Sequence, residues 1–349
     1  MQNEKINRRK FMRDAAVGAA GIAAGLGLTA RALAARQPAK TNTSGILNYN
    51  PEMEYRRLGR TELMVSAVCL GGHWKRVDVM KQDFDQNRRE VVSRCIEVGI
   101  NYIDACSIPE VCAYSKALTG RRDKMYLALS GGEVRNENFR TAEKLMQRID
   151  SLLLKSNQEY TDLWRITCLE PGGRHSFDTA CEIAAALEKA KKQGKARFGG
   201  ISSHDRRWLK FMVEYFPQIE VVLFPYTARS KALPKDSLFD ALGKCDAGAF
   251  GIKPFASNSL FKGSSALDDP NADEDDRRAR MAIRYVLCNP HIIPIPGLIS
   301  PRQVDNVAKA VKERRQLDLA EARELDSMMD EAWARLPKNY QWLKNWQYV

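Results

Sequence analysis

The chain has 349 residues, 44% of them hydrophobic and 28% charged, with only 14 prolines and 22 glycines. That excludes a disordered or low-complexity protein and leaves enough apolar residues for a large core, in one domain or two. The formal net charge of +12 is carried by bases scattered among acids, which reads as a solvated face and not as a nucleic-acid footprint; a single basic pocket for a phosphate-bearing ligand also fits.

Residues 1–35 stand apart. Positions 7–13 are basic and contain Arg8-Arg9, positions 15–30 are rich in Ala and Gly, and Ala32-Leu33-Ala34 offers a small-x-small cleavage site. The paired arginines resemble the twin-arginine export signal. The alternative, a membrane anchor, is disfavoured because so short an Ala/Gly run spans a bilayer poorly. The resemblance implies delivery of an already folded protein to the periplasm by the twin-arginine export machinery, with no stable membrane insertion after cleavage. All eight cysteines lie beyond this segment, and none forms a C-x-x-C pair. A zinc ribbon or redox dithiol therefore has no support, and mostly free thiols are expected. Residues 36–52 are polar and read as a linker, leaving 53–349 as the folded domain.

An alternation then begins. Strands are predicted at 65–70, 100–103, 124–129, 163–169, 196–201, 220–224, 249–252 and 291–295. Helices are predicted at 83–98, 109–118, 139–154, 177–192, 208–215, 236–244, 272–288 and 301–312. A further helix at 320–336 and an aromatic tail at 333–349 follow. Eight strand–helix units define an α/β class, a (β/α)8 TIM barrel with an extra C-terminal helix. The rival, an open doubly wound sheet, calls for a G-x-G-x-x-G after the first strand, and Leu70-Gly71-Gly72-His73-Trp74 does not supply it. In a barrel the residues at strand carboxyl ends define the site. These include His73, Asp104, Cys106, Ser130, Thr167, Cys168, Glu170, Ser202, Ser203, His204, Tyr226, Lys253 and Gly297.

Several stretches resemble the aldo/keto reductases: 55–61 (YRRLGRT), 99–104 (GINYID), 120–124 (GRRDK), 195–202 (KARFGGIS), Lys253-Pro254 and 295–303 (IPGLISPRQ). They span roughly residues 53–313 in the order that family has. The resemblance implies carbonyl reduction with NADPH through an Asp, Tyr, Lys, His tetrad. Only Asp104 matches it. Pro109 stands where the tyrosine is expected, Ser130 at the lysine position, and Thr167 or Cys168 at the histidine position. Losing a positioned general acid costs about 10²–10⁴ in rate, so reduction by the usual route is not expected. For the cofactor, the resemblance implies Ser202, Ser203, Lys253, Gly297, Ser300, Arg302, Gln303 and Asn306, with Arg302 suited to the adenosine phosphate.

Three readings of the vacated mouth stand side by side. An altered redox site would use His73, Glu170, His204 or Tyr226 as acid or base beside Asp104, with NADP and a small carbonyl or sugar-like substrate. A metal site would draw on Cys106, Cys168 and His204, although their spacing matches no metal motif. A non-catalytic ligand-binding barrel is the third. The tail aromatics Trp333, Tyr340, Trp342, Trp346 and Tyr348 are placed either against the body or as a wall of the mouth. Oligomeric state is not legible.

Overall fold

Strands that are apolar on both faces need cover on both, and parallel strands alternating with helices provide it. The computed structural model describes residues 43–72, 83–168 and 175–349. The predicted export segment, His73 and Glu170 lie outside the described residues. Eight parallel strands follow one another around the sheet: β3 (Leu70–Gly71), β4 (Tyr102–Ala105), β5 (Tyr126–Leu129), β6 (Thr161–Thr167), β7 (Ala196–Ser202), β8 (Val221–Pro225), β9 (Gly248–Ile252) and β10 (Ile293–Ile295). The ring closes between last and first. Cys69 N–H donates to Pro294 O at 3.1 Å and Gly71 N–H to Pro296 O at 2.8 Å. A Cβ on Gly71 would stand 2.8 Å from Pro296 O, so the closure needs glycine there.

Among the described residues nine α-helices surround the ring: α1 (Phe84–Glu97), α2 (Ile108–Ala117), α3 (Ala142–Ser156), α4 (Phe177–Lys192), α5 (Arg206–Tyr215), α6 (Leu238–Cys245), α7 (Ala272–Leu287), α8 (Pro301–Lys312) and α9 (Leu319–Ala334). Most start at a side-chain cap, for example Ser107, Asp205 and Ser300, which each accept a first-turn N–H. None is long and apolar enough to cross a membrane.

Side-chain alternation divides the core into two layers. Tyr102, Leu163, Leu223, Phe250 and Ile295 fill the barrel, whereas Ile103, Ile166, Ile201, Val222 and Phe224 face the helices. The predicted first strand, 65–70, splits in two. Its front half joins a hairpin of β1 (Tyr55–Arg57) and β2 (Met64–Ser66), and only its end enters the ring. Leu58, in that hairpin, belongs to the interior cluster. Part of the predicted linker is also packed: Ile46 is buried, and Tyr55 Oη accepts from Asn50 N–H and donates to Gly99 O.

After α9, a 3₁₀ segment (Lys338–Trp346) crosses to the strand carboxyl ends. It is anchored beyond by Lys231 N–H to Gln347 O at 2.8 Å and Val349 N–H to Lys231 O at 3.0 Å.

Candidate active site

A cavity of about 800 Å³ lies at the strand carboxyl ends. Its floor is an ion pair. Register places Asp104 beside Ala128 and Ala128 beside Leu163, so Arg165, two residues further along β6, rises on the same inward face. Arg165 Nε donates to Asp104 Oδ1 at 2.9 Å and Nη2 to Oδ2 at 3.0 Å. Asp104 is 5% exposed and Arg165 2%, so each charge depends on the other. Burial alone would lower the Arg165 pKa, but the facing Asp104 carboxylate and the other acidic groups nearby hold it above its usual value.

The pair is continued by hydroxyls. Arg165 Nη1 donates to Thr167 Oγ1, which shares a 2.5 Å hydrogen bond with Ser130 Oγ. Buried Glu133 terminates the chain, accepting from Ser130 Oγ, Thr167 N–H and Gly131 N–H at 2.7–3.0 Å. Ser130 and Thr167 are thus joined by a hydroxyl relay, and the cation that pairs with Asp104 comes from β6. Nothing in the resemblance pointed to Arg165. The local signal was a lone arginine in an apolar strand, in phase with inward Leu163 and Thr167.

Beside the floor, Cys106 Sγ–H donates to Glu110 Oε2 at 2.9 Å, and Cys106 N–H to the same oxygen at 2.7 Å. Burial first, then the Glu110 charge, pushes the Cys106 thiol well up, so it stays protonated. Pro109, at the expected tyrosine position, lies in the first turn of α2.

The wall is aromatic. His204 stacks on Trp342 with ring centroids 4.0 Å apart, and Lys253 Nζ lies 5.6 Å from the Tyr340 ring centre and 5.8 Å from that of Trp342. Burial, and then the Lys253 and Arg135 charges, push the His204 pKa down to about 3. Its imidazole is therefore neutral near pH 7.

The remaining predicted residues separate by alternation. Ser202 faces the cavity with Asp104, Cys106 and His204. Ser203 turns the other way, accepting from Asp205 N–H at 2.9 Å at the start of α5. Tyr226 falls on the outward face with Val222 and Phe224, against Phe239 at 5.8 Å, and does not line the cavity. Cys168 is likewise outward and fully buried. Cys106, Cys168 and His204 thus have separate surroundings, and among the described residues no group of three His, Cys, Asp or Glu side chains is placed to hold a metal.

Lys253, Gly297, Ser300, Arg302, Gln303 and Asn306 line one continuous extension of the cavity. Ser300 Oγ caps α8, and Gln303 Oε1 accepts from Ile299 N–H. Asn306 is held by Arg280 Nη1 and by Asp276 O, and Arg302 by Asp273 and Asp276.

Fold and site together define a (β/α)8 barrel with its ligand cavity at the strand carboxyl ends. Residues 68–330 match the Aldo/keto reductase family, and the chain belongs to it. It is 24% identical over 295 residues to L-galactose dehydrogenase of Arabidopsis thaliana, covering 77% of this chain and 91% of that protein. An uncharacterised oxidoreductase of Schizosaccharomyces pombe is 28% identical over 239 residues, covering 63% and 72%. Among solved structures, the holo form of an aldo-keto reductase from Bacillus halodurans superposes with a TM-score of 0.61 at 20% identity, covering 83% of this chain and 99% of that one. An aldo/keto reductase of Klebsiella pneumoniae in complex with NADP and acetate gives 0.59 at 18%, covering 79% and 95%.

Proposed function

We propose that the protein is an exported oxidoreductase that binds a nicotinamide dinucleotide and acts on a small carbonyl or sugar-like compound without the usual tetrad. The observation that carries this reading is the Asp104–Arg165 fork on the floor of a cavity that continues to Gly297 and the start of α8. A helix start and a close-approach glycine suit a pyrophosphate, and Ser202 suits the nicotinamide end. At the adenosine end Arg302 already faces two carboxylates, which disfavours a 2′-phosphate there relative to a 2′-hydroxyl. The twin-arginine segment supports export in the folded state, which would favour a tightly held dinucleotide.

The dinucleotide, when bound, supplies or accepts a hydride. This chain's own groups would do the rest. Asp104 fixes the guanidinium plane, and the Arg165 N–H groups left over from Asp104 and Thr167 favour negative charge developing on a carbonyl oxygen. Arginine keeps its proton, so Arg165 stabilises charge without transferring one. Neutral His204 lines the cavity with its ring stacked on Trp342, while Trp342 and Tyr340 cover an apolar face and limit water.

Releasing the contents of the purified protein by denaturation, and identifying them by mass and absorbance, tests the reading. So does titration with NADH and NADPH, followed by nicotinamide fluorescence. No carried nucleotide together with no binding of either would refute it. A second reading, a barrel that binds ligand without turnover, is favoured by one observation. Among the described residues, the tyrosine and lysine lining the cavity, Tyr340 and Lys253, stand in its wall and not on Asp104. Dinucleotide binding with no turnover of any carbonyl panel would select it.

A further inference from the structure

Resting on the dinucleotide reading above, we propose that the groove selects a dinucleotide whose adenosine ribose carries a free 2′-hydroxyl, NAD(H), over the 2′-phosphorylated NADP(H). The proposed adenosine arm is lined by Arg302, Asp269, Asp275 and Asp276, with Asp273 at its exposed rim. Arg302 Nε donates to Asp276 Oδ2 at 2.8 Å, and Nη2 to Asp273 Oδ1 at 2.7 Å. One face of the guanidinium fork is therefore taken by two anions from the first turns of α7.

Two further carboxylates line the same cavity and are locked by backbone. Asp275 accepts from Lys262 N–H and Gly263 N–H, both at 2.8 Å. Asp269 accepts from Ser264 N–H and Oγ–H at 2.7 Å and from Asn271 N–H at 2.8 Å. The bonds to Asp269 hold its carboxyl well below the usual range and keep it ionised. The neighbouring Arg280 is spent on Glu313 and Asn306.

A 2′-phosphate carries close to two negative charges at neutral pH. To bind it, Arg302 has to release Asp273 or Asp276, leaving that carboxylate beside a dianion. A 2′-hydroxyl asks for no such exchange. It can donate to a carboxylate, the chemistry that doubly wound dinucleotide folds use for NAD, where an arginine instead accommodates the 2′-phosphate of NADP. The two aspartates thus act as specificity residues through charge and through occupation of the arginine.

The test is equilibrium titration of the purified protein with NADH and with NADPH at low salt, read by nicotinamide fluorescence. NADH is expected to bind at least about tenfold more tightly, with the gap narrowing as salt screens the carboxylates. The pair Asp273→Asn and Asp276→Asn, with folding checked by circular dichroism, is expected to raise NADPH affinity and close the gap. Arg302→Gln is expected to leave NADPH no weaker relative to NADH than before. NADPH binding as tightly as NADH to the unaltered protein, or a selective loss of NADPH in Arg302→Gln, overturns the inference while leaving the dinucleotide reading intact. Binding of neither removes both.

Discussion

Replacing Arg165 with methionine tests the floor of the site directly. The change keeps much of the side-chain volume and removes the charge, leaving Asp104 at 5% exposure without its two guanidinium bonds. Breaking a buried pair from one side costs about 3–5 kcal/mol, because the surviving charge is stranded. Asp104→Leu strands the guanidinium instead and should cost a similar amount. The double variant Asp104→Leu/Arg165→Met strands neither charge, and such apolar replacements range from neutral to about 1–4 kcal/mol stabilising. The singles therefore should not add, and their interaction energy should exceed the roughly 0.5–3 kcal/mol of ordinary neighbours. The assay is urea unfolding of all four proteins by circular dichroism, with a common slope required before midpoints are compared. pH adds a check. Loss of the facing guanidinium raises the Asp104 pKa, so Arg165→Met should recover stability relative to the parent as pH falls. A loss under about 1 kcal/mol in Arg165→Met, or additive singles, would refute the claim that this pair is one buried electrostatic unit.

Two further outcomes follow from single side chains. The Tyr102 hydroxyl is buried in the barrel without a hydrogen-bond partner, so Tyr102→Phe should be neutral or raise stability by about 1 kcal/mol in the same unfolding assay. His204 is neutral in the fold down to about pH 3, while an unfolded histidine takes a proton near pH 6.5. Its contribution to stability is complete above pH 6.5 and is lost as pH falls toward 3, because the unfolded chain then binds the extra proton. His204→Gln should flatten that limb of the stability–pH curve; an unchanged limb would show that His204 is not held neutral.

The architecture was legible because most strands are short apolar runs ended by Gly, Ser or Pro, and because the stretches between them carry helical apolar spacing. The hairpin was not, since residues 65–70 read as one run in which Ser66 alone is polar, and only the bend at Ala67 and Val68 divides it. For the site, strand phase was the missing tool. Counting inward positions from Leu163 brings Arg165 and Thr167 into the barrel. Counting from Leu223 sends Tyr226 out of it, and the same alternation separates Ser202 from Ser203. Lys253 escapes such counting because its backbone is left-handed, at φ 59°, which breaks the alternation. The commitment of Arg302 to Asp273 and Asp276 depends on how two helices lie side by side, and a linear pattern does not carry that.

The wall formed by Tyr340 and Trp342 has a consequence for biosynthesis. Domains take shape from the amino terminus as the chain emerges from the ribosome, yet this cavity borrows its cover from positions almost 240 residues after Asp104. The eight strands have all been made before that cover exists. Any small molecule held there is therefore fully enclosed only after the last residues of the wall have been made.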